Sequence, residues 1–193
     1  MGSFLPHSIK EDITINTVTR ITVPYNTKTR LRTASPHDAL TFAPRLRKAD
    51  KEEIWAKGNI TPFYALFFSI VDSSPNAWAF IDATTEEIIA IGGIKILEGE
   101  EGEGIALPWL LASPAVHRVR NEFHRACKFM LDELWVIKKI NVLFNVVHSK
   151  NTTSIQWLGR LGFTFIHHDE PLGTQGELFH SFAMRRGEGV YHV

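Results

Sequence analysis

Cysteine is nearly absent from this sequence, since Cys127 is the one cysteine among 193 residues. An intrachain disulfide is therefore excluded, and a reducing compartment fits the composition. The sequence also lacks a run of about 20 apolar residues that would span a bilayer. Its N-terminus lacks the basic and then apolar pattern of a signal peptide. We therefore expect a cytoplasmic protein with no membrane partner.

An excess of charge of either sign is absent as well. Lys and Arg together number 21, and Asp and Glu together also number 21, so the overall charge does not favour nucleic acid or an anionic surface. A basic cluster lies within residues 30–51, but acidic residues interrupt it and exposed aromatic residues are not interleaved with it. We predict no nucleic-acid partner. An anionic patch on a partner protein would explain the cluster equally well.

Motifs for several common chemistries are missing. The sequence contains no phosphate-binding loop, no dinucleotide fingerprint and no Gly-x-Ser-x-Gly elbow. His167 and His168 are adjacent on a predicted strand and so point to opposite faces. His124 and Cys127 lie three residues apart on a predicted helix, but no second pair follows at zinc-like spacing. We predict no metal site, and we interpret Cys127 as a small buried hydrophobic residue.

The sequence indicates an N-terminal arm over residues 1–28 and one globular domain over residues 29–193. Within the arm, residues 13–23 alternate apolar and polar side chains with the period of a strand. We expect an extra edge strand there, and its exchange with a second copy would give a dimer. Disorder is an equally good interpretation of residues 1–12.

The first half of the domain is predicted to contain a strand, three short helices and a hairpin. The strand is Thr29–Thr33, and the helices begin near Pro36, near Asp50 as a cap, and at Thr61 and Pro62. The helix at Pro36 is expected to bury Ala39, Leu40, Ala43 and Leu46. The hairpin covers residues 76–96, and its Gly92-Gly93 pair indicates a bulge or a close backbone approach. The acidic loop of residues 98–103 follows.

The second half of the domain predicts a strand-helix-strand unit and then a helix and a hairpin. Pro108 interrupts the strand over residues 105–111, so this strand should kink or separate from a neighbour. An apolar stripe at spacings of three and four defines the long helix; its members are Val116, Val119, Phe123, Ala126, Cys127, Met130 and Leu134. A strand over residues 141–147, a helix that Asn151 or Thr152 caps and that Gly162 ends, and a final hairpin complete the domain. The strands at 105–111 and 141–147 should be parallel.

Eleven residues separate Asn151 from Phe163, and Gly162 directly precedes that Phe. This spacing and the order of elements resemble the GNAT superfamily of acetyl-coenzyme A-dependent N-acetyltransferases. The resemblance implies an α/β (α+β) fold: a mixed, mostly antiparallel sheet with helices on both faces and a splayed central strand pair. It also implies acetyl-CoA as cofactor. The segment from Leu107 to Ser113 and the helix after Asn151 further resemble small GNAT-like proteins of tailed bacteriophages.

The resemblance assigns roles to particular residues. Backbone groups of the segment Trp109, Leu110, Leu111 and Ala112 would hold the pantetheine and thioester, and Asn151 would lie beside that arm. Many members use a Glu near the same strand as general base. Glu103 is the nearest candidate and Glu101 is the second, unless Glu103 is only a solvated acid of the loop. His148, which follows the next strand, is another candidate base, or else only a polar residue at a strand end.

Two positions depart from the family pattern. The family places a glycine-rich pyrophosphate loop before the long helix, whereas this chain has no glycine between Gly104 and Gly159. His117, Arg118 and Arg120 would instead face the pyrophosphate there. The usual general-acid Tyr, seven residues after the Asn, is replaced by Leu158, which has no proton to donate.

Two functions are therefore predicted. The first is acetyl transfer by direct attack, from acetyl-CoA to an amine of a protein or small molecule. The second is a catalytically degenerate protein that acts by binding a host protein or as a component of the virion. A phage-encoded protein would be found in the host cell cytoplasm or in the virion.

Overall fold

The structure is a computed structural model that describes residues 20–21, 28–97, 104–137 and 140–187. Its strands are β1 (Arg20–Ile21), β2 (Thr29–Thr33), β3 (Ala77–Asp82), β4 (Ile88–Leu97), β5 (Gly104–Ala112), β6 (Ile140–His148), β7 (Thr164–Pro171) and β8 (Leu178–Arg185). Its α-helices are α1 (Asp38–Phe42), α2 (Lys48–Gly58), α3 (Pro62–Ser73), α4 (Arg120–Ile137) and α5 (Thr152–Leu161). Short 3-10 helices at Ala43–Arg45 and Pro114–Val119 precede α2 and α4.

The described strands form one sheet in the order β1-β2-β3-β4-β5-β6-β8-β7. Neighbouring strands are antiparallel except β5 and β6, which are parallel and are connected through α4. A parallel pair needs a crossover connection, and the long amphipathic helix supplies it. The predicted fold, a mixed and mostly antiparallel sheet, is confirmed.

Helices cover both faces of the sheet, and each face has its own hydrophobic core. Helices α4 and α5 pack on one face, which includes Phe80 and Ala90. Helices α1, α2 and α3 pack on the other, which includes Ala79 and Ile91. Adjacent residues of β3 and β4 thus belong to different cores, because side chains alternate along a strand. The predicted apolar stripe is buried throughout, but its first two members, Val116 and Val119, lie in the 3-10 helix and the rest, up to Leu134, lie in α4.

The structure describes the N-terminal arm only at β1 and at Lys28. Arg20 and Ile21 pair antiparallel with Arg32 and Leu31 of the same chain, so this part of the arm is an edge strand of the domain's own sheet. The rest of residues 1–27 lies outside the described residues. Exchange of the arm with a second copy stays a prediction.

Two details of the sequence interpretation were wrong on the α1–α2 segment. Leu40 is 57% exposed and Phe42 is buried in its place. Ala39, Phe42, Ala43 and Leu46 have the i, i+3, i+4, i+7 spacing of one helical face, so Leu40 lies on the opposite side. Asp50 is not the cap of α2, because Arg47 occupies the N-cap position and Asp50 lies in the first turn.

The predicted close approach at Gly92 and Gly93 is confirmed. A Cβ atom on Gly93 would lie 2.5 Å from the carbonyl oxygen of Asn76 and 3.0 Å from the Cα of Ala77. On Gly92 it would lie 2.9 Å from the carbonyl oxygen of Trp109. Side chains are therefore excluded where β4 passes between β3 and β5. Among the described helices, none is long and apolar enough to cross a bilayer.

Gly93→Ala should destabilise the protein by about 1–3 kcal/mol, because its methyl group meets backbone atoms that have no free space to move into. Gly159→Ala is the matched control, since a Cβ there meets nothing within 4 Å on an exposed turn of α5. That change should stabilise the protein by roughly 0.5–1 kcal/mol through helix propensity. Urea unfolding of both variants measures the difference. Equal stabilities would contradict the close packing of β3 and β4.

Candidate active site

A gap opens between β5 and β6 in the middle of the sheet. The two strands pair only from Gly104 to Ala106, and they separate beyond that point. Pro108 has no N–H to continue the ladder, and its carbonyl accepts a hydrogen bond of 2.7 Å from the Asn145 side-chain amide. The Asn145 amide oxygen in turn accepts from the Val146 N–H at 2.8 Å. The predicted splay is confirmed, and the Asn145 side chain bridges it.

Leu110 directs its backbone groups into this gap. At the end of β5, the Ala112 N–H donates to Asp50 Oδ2 at 2.9 Å and the Ala112 carbonyl accepts from the Arg47 N–H at 2.9 Å. Both Ala112 groups are therefore engaged on the side away from β4. Backbone direction alternates along a strand, so Leu110 faces the same side as Ala112. Its N–H and C=O have no strand partner there, because the described β5–β6 ladder ends at Ala106.

Trp109 and Leu111, the other members of the predicted cofactor segment, lie on the opposite side of β5. Alternation directs their backbone groups towards β4, and their side chains pack against the core beneath α3. The Trp109 indole N–H donates to Ser73 Oγ at 2.8 Å. Within the segment 109–112, Leu110 thus offers the backbone groups that a ligand in the gap could contact.

Arg47 and Asp50 fix the start of α2 to the end of β5. The guanidinium of Arg47 contacts the Asp50 carboxylate twice, with Nε at 3.0 Å and the terminal nitrogen at 2.7 Å. Asp50 is only 2% exposed. A buried carboxylate needs a charged partner and further donors, and here Arg47 and the Ala112 N–H supply them. This contact places the inner face of α2 over the gap.

A cavity of about 520 Å³ occupies the gap and reaches both faces of the sheet. On one side its walls come from α2 and α3, including Glu53, Lys57, Ala65 and Phe68. On the other side they come from α4 and α5, including Cys127, Met130, Trp157 and Leu158. A ligand could therefore extend from one face of the sheet to the other.

Glu53 presents a carboxylate to this cavity. Its Oε2 accepts a hydrogen bond of 2.7 Å from Asn151 Nδ2, and the backbone N–H of His148 is a second donor. Burial raises the pKa of Glu53 to about 7, and these two hydrogen bonds only partly oppose that effect. The nearby Asp50 charge raises it further, whereas Lys57 lowers it. Glu53 therefore changes its protonation near neutral pH.

Asn151 is buried and uses both ends of its side chain within the protein. It is the N-cap of α5, where its Oδ1 accepts from the Ser154 N–H at 3.3 Å, and its Nδ2 donates to Glu53. The predicted capping role is confirmed. Asn151 also lines the cavity, so its place beside a bound pantetheine arm stays a prediction.

The residues predicted as bases are placed differently. Glu103 and Glu101 lie outside the described residues. His148 is 6% exposed, and its ring lies against Phe179 at a centroid distance of 5.2 Å. Burial, followed by the charge of Lys150, lowers the His148 pKa. Its side chain is not part of the cavity wall, although its backbone N–H supports Glu53.

A 3-10 helix occupies the place where the resemblance implies a glycine-rich loop. Val116 and Val119 are buried, which turns His117 outward into solvent. Arg118 points to the turn between β3 and β4, where it contacts Glu87 at 3.1 Å and Asp82 at 3.5 Å. The three predicted phosphate-facing side chains are therefore not equivalent, since the charge of Arg118 is partly neutralised.

Arg120, the third of these residues, lines a second groove, which lies open on the surface between α4 and α5. The residues that line it are Arg120, Asn121, His124, Arg125, Trp157 and Arg160. Arg125 contacts Glu122 at 3.5 Å, but within the described chain neither Arg120 nor Arg160 has a carboxylate within ion-pair distance. Burial lowers the His124 pKa, and the positive charges of Lys128 and Arg160 add to that effect. The groove is suited to an anion.

Trp157 forms a wall of both the cavity and the groove. Its indole nitrogen is buried and has no hydrogen-bond partner among the described residues. A buried N–H donor without a partner is uncommon and calls for an explanation. Since Trp157 lines both the cationic groove and the mostly apolar cavity, one elongated ligand with an anionic end could contact both.

Sequence reasoning missed Glu53, Asn145, Trp157 and Arg160 as site residues. Glu53 and Arg160 look like solvated helix charges in the sequence, and only packing shows what they face. One signal was available for Asn145, because it is a polar residue near the centre of an otherwise apolar strand. Such a residue needs a hydrogen-bonding partner once it is buried.

Solved structures of acetyltransferases share this architecture. Ribosomal-protein-S5-alanine acetyltransferase from Vibrio fischeri matches 89% of this chain and 99% of its own, with 12% identity and a TM-score of 0.61. Spermidine N-acetyltransferase from Vibrio cholerae, in complex with CoA and spermine, matches 84% and 98%, with 13% identity and a TM-score of 0.62. The fold is that of the GNAT acetyltransferases.

A GCN5-related N-acetyltransferase from Kribbella flavida is similar to the same extent, with 18% identity, a TM-score of 0.58 and coverage of 82% of this chain and 98% of its own. No protein-family model and no curated protein sequence matches the chain. The GNAT fold is thus evident from the backbone, at sequence identities that carry no information on the substrate.

Glu53→Gln should stabilise the protein relative to the wild type increasingly as the pH rises from 5 to 8. The folded-state pKa of about 7 lies above the ordinary value of 4.5, so folding takes up a proton in this window and wild-type stability falls with rising pH. The change should be roughly 2 kcal/mol. Urea unfolding at pH 5 and pH 8 measures it. A wild-type stability that rises in step with the variant would contradict the buried carboxylate.

Proposed function

We propose that this protein is an acetyl-CoA-dependent N-acetyltransferase, which moves an acetyl group to an amine by direct attack. The observation that carries the proposal is the pairing of the gap with a cationic groove. The cavity that crosses the sheet at the splayed strands and the groove lined by Arg120 and Arg160 share the side chain of Trp157 as a wall. The similarity of the fold to acetyltransferases, one of them in complex with CoA, supports the same function.

The residues present fit coenzyme A. Its phosphates match the groove that contains Arg120 and Arg160, because both guanidinium groups lack a carboxylate partner among the described residues. The amide groups of its pantetheine arm match the backbone N–H and C=O of Leu110, which face the gap as an unpaired strand edge would. When bound, acetyl-CoA would supply the activated acyl group within the cavity.

The chain's own residues would orient the reactants and limit the access of water. The Asn145 bridge to Pro108 holds β5 and β6 apart, and the Arg47–Asp50 contact fixes α2 above the opening. Leu158 is only 8% exposed and has no proton to donate. The departing thiolate would therefore take its proton from water or from the acceptor amine rather than from the residue at this position.

A second function is favoured by two departures from the family pattern. Leu158 replaces the general-acid Tyr, and the glycine-rich loop is missing from the sequence. In this alternative the protein binds CoA or a host protein without turnover, in line with the resemblance to small phage proteins. It would then act in the cytoplasm of the host or as a component of the virion. The buried Leu158 and the 3-10 helix at Pro114–Val119 are the observations behind it.

Calorimetric titration with CoA tests the groove. Arg120→Ala and Arg160→Ala should each weaken binding by roughly tenfold, because each removes a charge-assisted contact to phosphate. Arg186→Ala is the control, since Arg186 is exposed beyond the end of β8 and outside both the cavity and the groove. Binding of the wild type should also weaken as salt is added.

Wild-type protein that does not bind CoA at millimolar concentration would overturn the proposed function. Equal affinities for the groove variants and the Arg186 control would show that the phosphates lie elsewhere. Tight binding with no acetyl transfer to any amine would favour the second function, in which the fold has kept its ligand but not its reaction.

A further inference from the structure

Three carboxylates of the described chain line the cavity, and two of them are already neutralised. Asp50 is paired with Arg47 at 2.7 Å, and Asp72 is paired with Lys95 at 2.7 Å. Glu53 is instead held by two neutral donors, the Asn151 amide and the His148 N–H. Neutral donors orient a carboxylate without cancelling its charge. Glu53 is thus the cavity acid that is available to a cationic ligand.

The charged and titratable groups around Glu53 come from two elements. On α2 they are Asp50 and Lys57, which act on it in opposite directions. From the β6–α5 connection the Asn151 side chain and the His148 backbone approach it, and both are uncharged. Lys57 is exposed, and its ammonium lies 3.5 Å from the Asn145 amide oxygen, at the limit of a hydrogen bond. No cation of the described chain forms an ion pair with Glu53.

We propose that Glu53 binds the ammonium group of the acceptor and takes its proton. This inference rests on the proposed acetyl transfer and adds the residue that activates the acceptor. Asn151 is a positioning residue in this arrangement, because its amide holds the carboxylate at 2.7 Å while its other end caps α5. Asn151 thereby connects the start of α5 to α2.

The reaction balances with these groups alone. A protonated primary amine approaches the Glu53 carboxylate, its N–H bond breaks and an O–H bond forms on the carboxylate. The freed nitrogen lone pair forms a C–N bond with the thioester carbonyl carbon as the C–S bond breaks. The second proton of the nitrogen passes to the departing thiolate, directly or through water. Glu53 then releases its proton to solvent.

The same geometry defines the class of acceptor. One available carboxylate matches one ammonium group, whereas a polyamine carries several positive charges that would each need a partner. The cavity wall on this side also presents apolar groups, because Ile60 and Phe68 line it and are 41% and 53% exposed. The structure therefore favours a primary monoamine with an apolar substituent next to the amino group. Spermidine should be a poor acceptor.

The test measures acetyl transfer by the full chain to hexylamine, phenethylamine and spermidine between pH 5.5 and 9. The release of free thiol is the readout. Glu53→Gln should lower kcat/KM for the monoamines by about 100-fold or more at pH 8, in the range expected for loss of a general base. Glu52→Gln is the matched control, since Glu52 is its exposed neighbour, paired with Lys48 at 3.5 Å. This control should remain within about twofold of the wild type, as is usual for an exposed ion pair.

The pH profile separates a base from a structural role. Wild-type kcat/KM should rise through the Glu53 pKa of about 7 and then level off by pH 9, because a primary amine keeps its proton up to a pH of about 10. The rising limb should be absent in Glu53→Gln and unchanged in Glu52→Gln. Calorimetry with CoA should give the same affinity for all three proteins, because Glu53 lies apart from the cationic groove.

The other possible results distinguish a failure of the Glu53 proposal from a failure of the proposed acetyl transfer. Equal rates and profiles for the wild type and Glu53→Gln would overturn the role of Glu53 and leave the acetyltransferase proposal intact. A higher kcat/KM for spermidine than for the monoamines would overturn the acceptor class. Wild-type protein that binds CoA but transfers to none of the amines would overturn this inference together with the catalytic proposal. Failure to bind CoA would overturn both at the first step.

Discussion

The arrangement of the site depends on a break in one strand ladder. Pro108 cannot donate to β6, and the Asn145 amide takes the place of the missing strand contact by donating to the Pro108 carbonyl. The two strands stay connected at Gly104–Ala106 and separate above. Because a gap in a sheet leaves backbone groups unpaired, the same break creates both the cavity and the Leu110 groups that a ligand can use.

Long-range polar contacts keep the gap open on the α2 side. Asp50 joins Arg47 to the Ala112 N–H, and Asn151 joins Glu53 to the start of α5. Each is a buried or half-buried group whose hydrogen bonds would be costly to leave unmade. The contacts therefore hold α2 close to the sheet, and this proximity places the Glu53 carboxylate in a poorly solvated position. The raised pKa of Glu53 is therefore a consequence of the close packing of α2 on the sheet.

Electrostatics divide the site into two parts. On the α4–α5 side, Arg120 and Arg160 form a groove suited to phosphate. On the α2–α3 side, Glu53 provides a negative charge among apolar residues. Trp157 lies between the cationic groove and the cavity, and its indole N–H has no partner in the described structure. A two-substrate transfer, with an anionic donor and a cationic acceptor, fits this separation of charge.

The sequence alone determined the elements and the fold class. The stripe from Val116 to Leu134, the Asn151 cap with Gly162 at the end of α5, and Pro108 depend on neighbours a few residues away, so they can be interpreted locally. Only the tertiary structure decided which polar residues meet. Glu53 and Asn151 lie 98 positions apart, and Asp50 and Ala112 lie 62 apart. Periodicity carries no information about such pairs, because they depend on how α2 packs across the open strands.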